Sequence, residues 1–343
     1  MSPIASKTQH HEVKEHQLAR AEWVCSPEFL DRYVRPHVGA DAPATGGTWT
    51  TQVIQLDGSG AATVRAELDG SRPVFAKLFP FDDGPAVHDK LCALRAAGLG
   101  AGQRYQVVEP LAWIDEEKVL LCRGALGFPI SDLLGGDVDV LARATAEAGH
   151  WLGRLHGPDL RIGTAHSLLV TGELTSLGKR LAKVCASHPG YLRQGLAMLA
   201  QLDALTYDTV DGIIAQSHGQ YRPIHVFLSP DVVTVIDLDR SAPADPARDV
   251  AEFLHRLRLG VHTATGDMSR ADPASASFLA AYRESARGDE HLVNLRFHWA
   301  RYVFHSLNGR VKVDESTYED GGNAEYRLLV AEFDRIVSGR AGA

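Results

Sequence analysis

Apolar and polar residues alternate along the stretch from Trp49 to Phe79. This period of two is expected of strands with one buried face. Three such runs, 50–56, 62–68 and 73–79, are separated by the turn sequences DGSG and DGSR. Short Asp-Gly turns between alternating runs are typical of β-hairpins. The pattern therefore predicts an antiparallel meander of three strands.

The next stretch, 82–100, changes to a helical period. It opens with acidic residues and a proline, carries apolar residues at helical spacing, and ends in glycine, which together predict a capped helix. Residues 106–114 and 116–124 then return to strand character. The predicted order is three strands, one helix and two strands.

Helical patterns dominate after Gly127, first over 128–205 and again from Ala247 to Val337. Between them, 223–229 and 231–239 predict two short strands around a turn. The fold class expected is therefore α+β, with two lobes. The predicted boundaries are an N-terminal arm over 1–45, a small antiparallel β lobe with one helix over 46–124, and a larger helical lobe over 125–343.

Composition narrows the function classes. The chain has 343 residues and a formal net charge of −8, which favours neither a nucleic-acid partner nor a basic membrane surface. Its four cysteines are widely spaced, so a disulfide framework or a zinc site is not expected. No apolar run is long enough for a membrane span, and the polar first 17 residues lack a secretion signal core. We expect a cytoplasmic protein.

The candidate chemistry lies in residues 217–254, where a polar loop precedes the two short strands and an acidic loop follows them. A hairpin there could deliver His218–His225 and Asp237–Asp239 to one point. Nucleotide-bound Mg²⁺ needs hard oxygen ligands, usually one or two carboxylates. Asp237, at the end of a strand, is well placed to supply one.

This segment resembles the aminoglycoside phosphotransferase and choline kinase superfamily, which has a protein-kinase-like fold. The family pattern reads roughly HGDxxxxN, a hairpin, IDxD and then DPxxDL. The corresponding residues here are His218, Gly219, Gln220, His225, Ile236, Asp237, Leu238, Asp239, Asp245, Pro246, Asp249 and Val250. The resemblance covers most of the chain after about residue 45 and makes this a divergent member with an altered catalytic loop.

The resemblance implies ATP and Mg²⁺ as cofactors. Lys77 matches the strand lysine that contacts the nucleotide phosphates, and the turn at Ser59 and Gly60 is the candidate phosphate loop. The helix that normally offers a glutamate to this lysine has Asp89 as its nearest acid, beside Lys90. The family's metal positions correspond to Asp237, His225 and Asp239.

Two departures bear on activity. The third residue of the HGD motif, which accepts a proton from the acceptor hydroxyl or orients it, is Gln220 here. A neutral amide cannot take a proton, although it can orient a nucleophile. The asparagine that holds the second metal is replaced by His225, a softer ligand for Mg²⁺. We expect Gln220, Asp237 and His218 to form the catalytic set.

Three further interpretations concern neighbouring residues. The arginines Arg222, Arg240 and Arg248 surround the expected site and could bind phosphate or an acidic substrate; each could instead be a surface residue or a partner of Asp245 or Asp249. The pair Asp245 and Asp249 is expected to be structural, because a DPxxD sequence opens a helix. His156, at the end of a helix of LxxLH type, is also expected to be structural.

Three functions remain open. The first is transfer of the γ-phosphoryl group of ATP to a hydroxyl of a small molecule or peptide. The second is a pseudokinase, a catalytically impaired nucleotide-binding or empty scaffold that acts through a protein partner, since positions 220 and 225 both depart from the family. The third is a Ser/Thr peptide kinase in a peptide natural-product pathway, with which the unusual loop and the polar arm are compatible.

Overall fold

The computed structural model describes residues 18–38, 45–56, 61–157, 160–164, 170–286, 288–314, 318 and 322–339. The chain divides into two compact units. Unit 1 comprises Met1–Gly127 and Ser229–Asp239, and unit 2 comprises Phe128–Leu228 and Arg240–Ala343. The sequence placed a single boundary between residues 124 and 125, whereas the structure also assigns the segment after residue 228 to the first unit.

Unit 1 contains the predicted antiparallel sheet. Its five strands run in the order β1-β2-β3-β6-β5, and every neighbouring pair is antiparallel. Side chains of β2 and β3 alternate between buried and partly exposed, as the sequence pattern indicates. The strands are β1 (Trp49–Leu56), β2 (Ala62–Leu68), β3 (Val74–Leu78), β5 (Pro110–Ile114) and β6 (Val119–Arg123).

The run 106–114, predicted as one strand, is two strands in the structure. Its first part, β4 (Tyr105–Val107), pairs in parallel with β10 (Val233–Val235) rather than with the five-stranded sheet. Pro110 follows and has no N–H to donate, so a ladder cannot continue unbroken through it. This break sends the chain from one sheet to the other.

Residues 18–38 belong to the core of unit 1, although the sequence placed them in the N-terminal arm. Residues 18–24 are helical, and the helical turns Pro27–Phe29, Leu30–Val34 and Arg35–His37 follow. Their apolar side chains are almost completely buried against the sheet. These side chains are Ala21, Val24, Phe29, Leu30 and Val34. Residues 1–17 and 39–44 of the predicted arm lie outside the described residues.

The helix predicted over 82–100 is present but shorter. Helix α1 spans Gly84–Leu94 and buries Val87, Leu91 and Leu94 on one face, at helical spacing. The chain then leaves α-helical geometry over Arg95–Leu99, where Gly98 has a φ of 104°. Glycine enters this left-handed region without strain, which explains the early end of the helix.

Unit 2 is mainly helical, as predicted. A helical turn at Ile130–Leu133 precedes the first long helix. Among the described residues, no helix is both long and apolar enough to cross a bilayer. The long helices are α2 (Val138–Leu155), α3 (Val170–Ser187), α4 (Leu192–Thr206), α5 (Ala247–Thr265), α6 (Asp272–Ala286), α7 (Leu295–Val313) and α8 (Ala324–Val337).

Close helix packing and aromatic stacking define the core of unit 2. A Cβ atom at Gly149 of α2 would lie 2.3 Å from the carbonyl oxygen of Phe278 in α6, so only glycine permits this approach. Tyr221, Phe253 and Phe278 form a continuous stack of rings, with centroids 5.2 and 4.3 Å apart. Tyr221 follows the HGQ sequence directly, so this stack anchors the expected catalytic loop to the helices.

Short strands frame that loop. Strand β8 (Ala215–Ser217) pairs antiparallel with β11 (Ala242–Ala244), and β7 (Phe128–Pro129) pairs antiparallel with β9 (Val226–Leu228). The predicted strand 223–229 is shortened because Pro223–His225 forms a helical turn. The loop from His218 to Arg222 is therefore held at both ends by paired backbone.

Candidate functional site

The strand lysine lies in the middle of the sheet of unit 1. Lys77 pairs with Thr63 of β2 on one side and Leu120 of β6 on the other. Its neighbours Ala76 and Leu78 point into the core, and strand alternation therefore places the lysine on the opposite face. A central strand gives this side chain a rigid base.

Lys77 binds two carboxylates. Its Nζ atom lies 2.9 Å from Oδ1 of Asp237 and 2.5 Å from Oδ2 of Asp239, and the three side chains are between 25% and 31% exposed. Burial alone would lower the pKa of the lysine, but Asp239 and Asp237 outweigh it and raise that pKa. The ammonium group is therefore fully protonated at neutral pH. We refer to these three residues as the ion trio.

Asp237 has an unusual backbone. Its φ is 64°, in the left-handed region that non-glycine residues seldom adopt. Such conformations cost of order 1–3 kcal/mol and cluster at functional sites. Because Asp237 follows β10 by only two residues, this turn ends the extended course of the strand. It is compatible with the expected placement of Asp237 at a strand end.

Lys90, rather than Asp89, contributes from helix α1. The Nζ atom of Lys90 donates to the backbone oxygen of Asp239 at 3.0 Å. Burial lowers the pKa of Lys90, more than nearby Asp239 raises it. Asp89 instead is exposed and lies beside His88, with 3.3 Å between its Oδ1 and the ring Nδ1. The acidic partner considered for Lys77 is therefore replaced by Asp237 and Asp239.

The predicted phosphate loop and the predicted metal ligands lie in different parts of the chain. Ser59 and Gly60 lie outside the described residues. Asp237 and Asp239 offer hard oxygen donors that converge on one cation, Lys77 Nζ, and this donor chemistry fits Mg²⁺. His225 belongs to unit 2 and not to the unit of the two aspartates. Within the described ranges, no group of three or more His, Cys, Asp or Glu side chains forms a metal cluster.

Asp249 organises the expected catalytic loop in unit 2. Its carboxylate accepts hydrogen bonds from the backbone N–H groups of His218 at 2.6 Å and Gly219 at 2.9 Å, and from the Ser217 hydroxyl at 2.8 Å. Burial would raise the pKa of Asp249, but the bond from His156 and the charges and donors around it lower that pKa. Asp249 is therefore structural, as expected, but it holds the loop rather than capping its helix.

Gly219 allows the loop to turn tightly. Its φ is 86°, and a Cβ atom at this position would lie 2.5 Å from the backbone oxygen of Arg240. Both observations exclude a side chain here. Gln220 follows this turn, and its backbone N–H donates to Nδ1 of His218 at 3.2 Å.

His218 and His225 shape the loop from within. His218 is completely buried, and its ring stacks on that of His225 with centroids 5.7 Å apart. Nδ1 of His225 lies 2.9 Å from the backbone oxygen of Gln220, so this nitrogen carries the proton. That His218 is catalytic stays a prediction; its buried ring accepts the Gln220 backbone N–H and so is placed to position Gln220. Gln220 itself is partly exposed.

The three neighbouring arginines differ. Nε of Arg222 donates to Oε1 of Glu252 at 2.6 Å, and Arg248 lies 3.2 Å from Oε1 of Glu173. Arg240 is exposed. Two of the three therefore have buried acidic partners, although not the aspartates at 245 and 249 that the sequence suggested.

The other structural expectations hold. His156 is fully buried between the hydroxyl of Tyr282, at 2.8 Å, and Asp249. Asp245 accepts the backbone N–H of Ala247 at 2.9 Å, at the start of α5. It also lies 3.0 Å from Nε2 of His298. Burial would raise the pKa of Asp245, but the bond from His298 and further donors lower that pKa.

Comparison with known proteins gives a structural answer. Neither the models of protein families nor the curated proteins contain a sequence match to this chain. Solved structures do match. A choline kinase from Cryptosporidium parvum Iowa II has a TM-score of 0.63 and 9% identity, covering 92% of this chain and 97% of the kinase.

Two further structures agree. A thermostable mutant of aminoglycoside phosphotransferase APH(4)-Ia has a TM-score of 0.55 and 15% identity, with 93% of this chain and 100% of that chain covered. Amicoumacin kinase hAmiN, in complex with AMP-PNP, Ca²⁺ and Ami, has a TM-score of 0.55 and 11% identity, with 84% and 89% covered. This chain has the protein-kinase-like fold of the choline kinases and aminoglycoside phosphotransferases. The predicted fold class is confirmed.

Within this kinase-like fold, sequence reasoning missed two contributors. Lys90 stands beside Asp89, the residue that was considered. The helical spacing of the buried residues, which include Leu91, was the sequence signal from which the orientation of Lys90 could have been judged. Glu252 lies on α5, three residues after Asp249, and accepts both the Nε–H of Arg222 and, at 3.2 Å, the hydroxyl of Tyr302. No local motif identifies Glu252, because its partners come from distant segments.

Proposed function

We propose that this protein is an ATP-dependent phosphotransferase that transfers the γ-phosphoryl group to a hydroxyl. The observation that carries the proposal is the ion trio, in which a strand lysine and two carboxylates converge. Phosphoryl transfer depends mainly on positioning and charge neutralisation, which these three groups can supply. The fold adds support, since the neighbours named above are phosphotransferases by their names.

In this proposal the ion trio forms the nucleotide site. Lys77 exchanges one carboxylate partner for phosphate oxygens of ATP, which its raised pKa favours because the ammonium stays charged. Asp237 and Asp239 would hold Mg²⁺, which neutralises phosphate charge when bound. Lys90 fixes the backbone of Asp239 through its bond to the carbonyl oxygen.

Gln220 orients the acceptor. Its amide can hydrogen bond to the attacking hydroxyl but cannot take its proton. The acceptor oxygen forms a bond to the γ-phosphorus while the bond from that phosphorus to the β,γ-bridging oxygen breaks, releasing ADP. The hydroxyl proton passes to a phosphoryl oxygen or to water. The Gln220 backbone that carries this amide is fixed by two hydrogen bonds, one from its N–H to His218 and one from His225 to its carbonyl oxygen.

The proposal is tested with γ-labelled ATP, Mg²⁺ and a panel of hydroxyl acceptors. The panel includes choline, an aminoglycoside, a macrolide, small hydroxy acids and Ser/Thr peptides. We expect labelled product from the wild type and from Asp231→Ala, and none from Asp237→Ala. Asp231 is an exposed aspartate of the same unit and serves as the matched control. Equal labelling by the Asp237→Ala variant, or no labelling by any variant, contradicts transfer.

A pseudokinase scaffold is the second candidate, favoured by Gln220 in place of an acid and by the pairing of Lys77 with both carboxylates. A scaffold that binds nucleotide gains thermal stability with ATP and Mg²⁺ but labels no acceptor. An empty scaffold shows no change in its melting temperature. Labelled product from the wild type removes both forms of this candidate.

A further inference from the structure

A cavity of about 570 Å³ opens in unit 2 against helix α5. This volume lies within the range of small-molecule sites, roughly 300–1,000 Å³. Its walls come from the turn at Ile130–Leu133 and the residues after it, from one face of α5, and from α7. The α5 side chains at Arg256, Leu259 and Thr263 are spaced by three and four residues, so they share one helix face.

The cavity is connected to the catalytic loop through Glu252. This glutamate is 3% exposed and accepts the Nε–H of Arg222, which follows Gln220 by two residues. One helical turn further along α5, the Nε atom of Arg256 lies 4.0 Å from the same carboxylate oxygen. The path from Gln220 to the cavity therefore runs along a short row of charged side chains within one unit.

Arg256 has an ion-pair partner in that row but an unsatisfied hydrogen-bond donor. Its Nε is buried and has no hydrogen-bond partner within the described part of the chain, since 4.0 Å is too long for a hydrogen bond. Glu252 is already bonded to Arg222 and to the hydroxyl of Tyr302. The second cavity arginine, Arg310, is held by Glu325 at 2.6 Å.

Neighbouring groups report an excess of positive charge. Burial and then the charge of Arg222 lower the pKa of Arg256, and Arg310 adds to this, which together outweigh Glu252 and Tyr302 that raise it. Burial and the charges of Arg180, Arg301 and Arg256 lower the pKa of His305 to about 4. The guanidinium of Arg256 therefore sits in a positive field, partly removed from water, where an anion would be bound more strongly than at the surface.

We propose that this cavity binds a carboxylate carried by the phosphate acceptor, with Arg256 as its principal partner. A guanidinium presents two parallel N–H donors that match the geometry of a carboxylate. Asp132 also lines the cavity, which opposes a dianion and favours a single negative charge. Leu134 and Leu259 supply apolar contact for the rest of the acceptor. The inference rests on the proposed function in treating the bound molecule as an acceptor.

The carboxylate can belong to a small hydroxy acid or to an acidic side chain of a serine-containing peptide. Binding is measured on the full-length protein by ligand-observed NMR, without ATP. The small-molecule pair is N-acetylserine and N-acetylserinamide, and the peptide pair is one serine peptide with glutamate or glutamine on both sides. The same experiment with choline gives the cationic comparison.

We expect the wild type to bind at least one carboxylate ligand about tenfold or more tightly than its amide, because hydrogen bonds to charged groups are worth about 1.5–3 kcal/mol. Arg256→Gln removes that preference, and Arg256→Lys restores part of it by keeping the charge. Arg193→Gln, which changes an exposed arginine on α4, leaves it intact. Circular dichroism of each variant verifies folding, and Arg256→Lys provides the test if Arg256→Gln does not fold.

Equal binding of acid and amide by the wild type overturns the proposal, as does preference for choline or an unchanged preference in Arg256→Gln. Preference confined to one pair supports it and identifies the source of the carboxylate. Carboxylate binding that depends on Arg256, together with failure to transfer phosphate to any acceptor, contradicts the proposed function and leaves the binding site standing.

Discussion

The Nζ atom of Lys77 lies 2.9 Å from Oδ1 of Asp237, although 160 residues separate them along the chain. Both residues belong to unit 1, because the segment from Ser229 to Asp239 returns to it. The pair therefore joins the first part of the sequence to the end of β10. This relationship makes the nucleotide half of the proposed function directly testable.

Replacement of Lys77 by methionine should weaken ATP binding. The loss of charge-assisted hydrogen bonds to phosphate is worth about 1.5–3 kcal/mol, or roughly tenfold to a hundredfold in Kd. Isothermal titration with ATP and Mg²⁺ measures the change. Lys179→Met, an exposed lysine on α3, is the control and should bind as the wild type does. Unchanged affinity in Lys77→Met would exclude the ion trio as the nucleotide site.

The left-handed backbone of Asp237 gives a prediction about stability. Asn and Gly tolerate a φ of 64°, whereas a β-branched residue does not. Asp237→Val should therefore lower the free energy of unfolding by about 1–3 kcal/mol more than Asp237→Asn does. Urea denaturation of the two variants gives the difference. If both variants unfold at the same urea concentration, the conformation at this residue carries no strain.

The sequence was sufficient for the fold class, and it singled out Lys77 and Asp237, which the structure brings together. Alternation predicted the strands, and the positions of Lys77 and Asp237 followed from a motif with correct spacing. The sequence pattern did not predict where a segment packs when contacts distant along the chain determine it. The stretch 18–38 was placed in the N-terminal arm, yet its apolar residues Ala21, Val24, Phe29, Leu30 and Val34 are buried in the core of the sheet. Which sheet a short amphipathic segment packs against is decided by tertiary contacts and not by its local pattern.

The same limit applies to the charged groups of unit 2. Arg222 was recognised as a candidate for anion binding, but its partner Glu252 lies 30 residues further along the chain. Whether an arginine makes close hydrogen bonds depends on which carboxylates are already bonded to other groups. Arg256 lacks one at Nε because Glu252 is bonded to Arg222 and Tyr302, and the local sequence around Arg256 does not indicate this.

Removal of the Asp249 carboxylate should disorganise the catalytic loop. Asp249→Ala leaves the N–H groups of His218 and Gly219 without their acceptor, and His156 without one of its two partners. Each unsatisfied buried group costs about 1–3 kcal/mol, so a marked fall in melting temperature is expected. Asp203→Asn on α4 is exposed and should have little effect. A melting temperature for Asp249→Ala within a degree of the wild type would contradict this role.

Replacement of Gln220 by aspartate separates an active transferase from a scaffold. If the chain is an impaired kinase, the carboxylate supplies the missing proton acceptor and labelling of an acceptor rises, since general base catalysis contributes typically 10²–10⁴-fold. If Gln220 is the working group of an active enzyme, the negative charge repels phosphate and the native activity falls. Initial rates with labelled ATP distinguish the two, and Gln201→Asp on α4 is the control.

Two histidines close to the charge of Arg256, His255 and His305, predict loss of stability in mild acid. Burial, followed by the charge of Arg256, lowers the pKa of His255 to about 3, and His305 is lowered to about 4. Their ordinary pKa is 6.5. Between these values the unfolded chain binds protons that the folded chain does not, so stability falls as pH decreases from about 6.5 towards 4.

At pH 5 the contribution of His255 to this loss is about 2 kcal/mol. In His255→Gln the free energy of unfolding should therefore change less between pH 7 and pH 5 than in the wild type. The amide can still bond to the hydroxyl of Ser306, which lies 2.6 Å from the native ring nitrogen. Urea denaturation at both pH values, with His262→Gln on the same helix as control, measures the difference. An identical pH dependence in wild type and His255→Gln would show that the pKa of His255 does not differ between the folded and unfolded states.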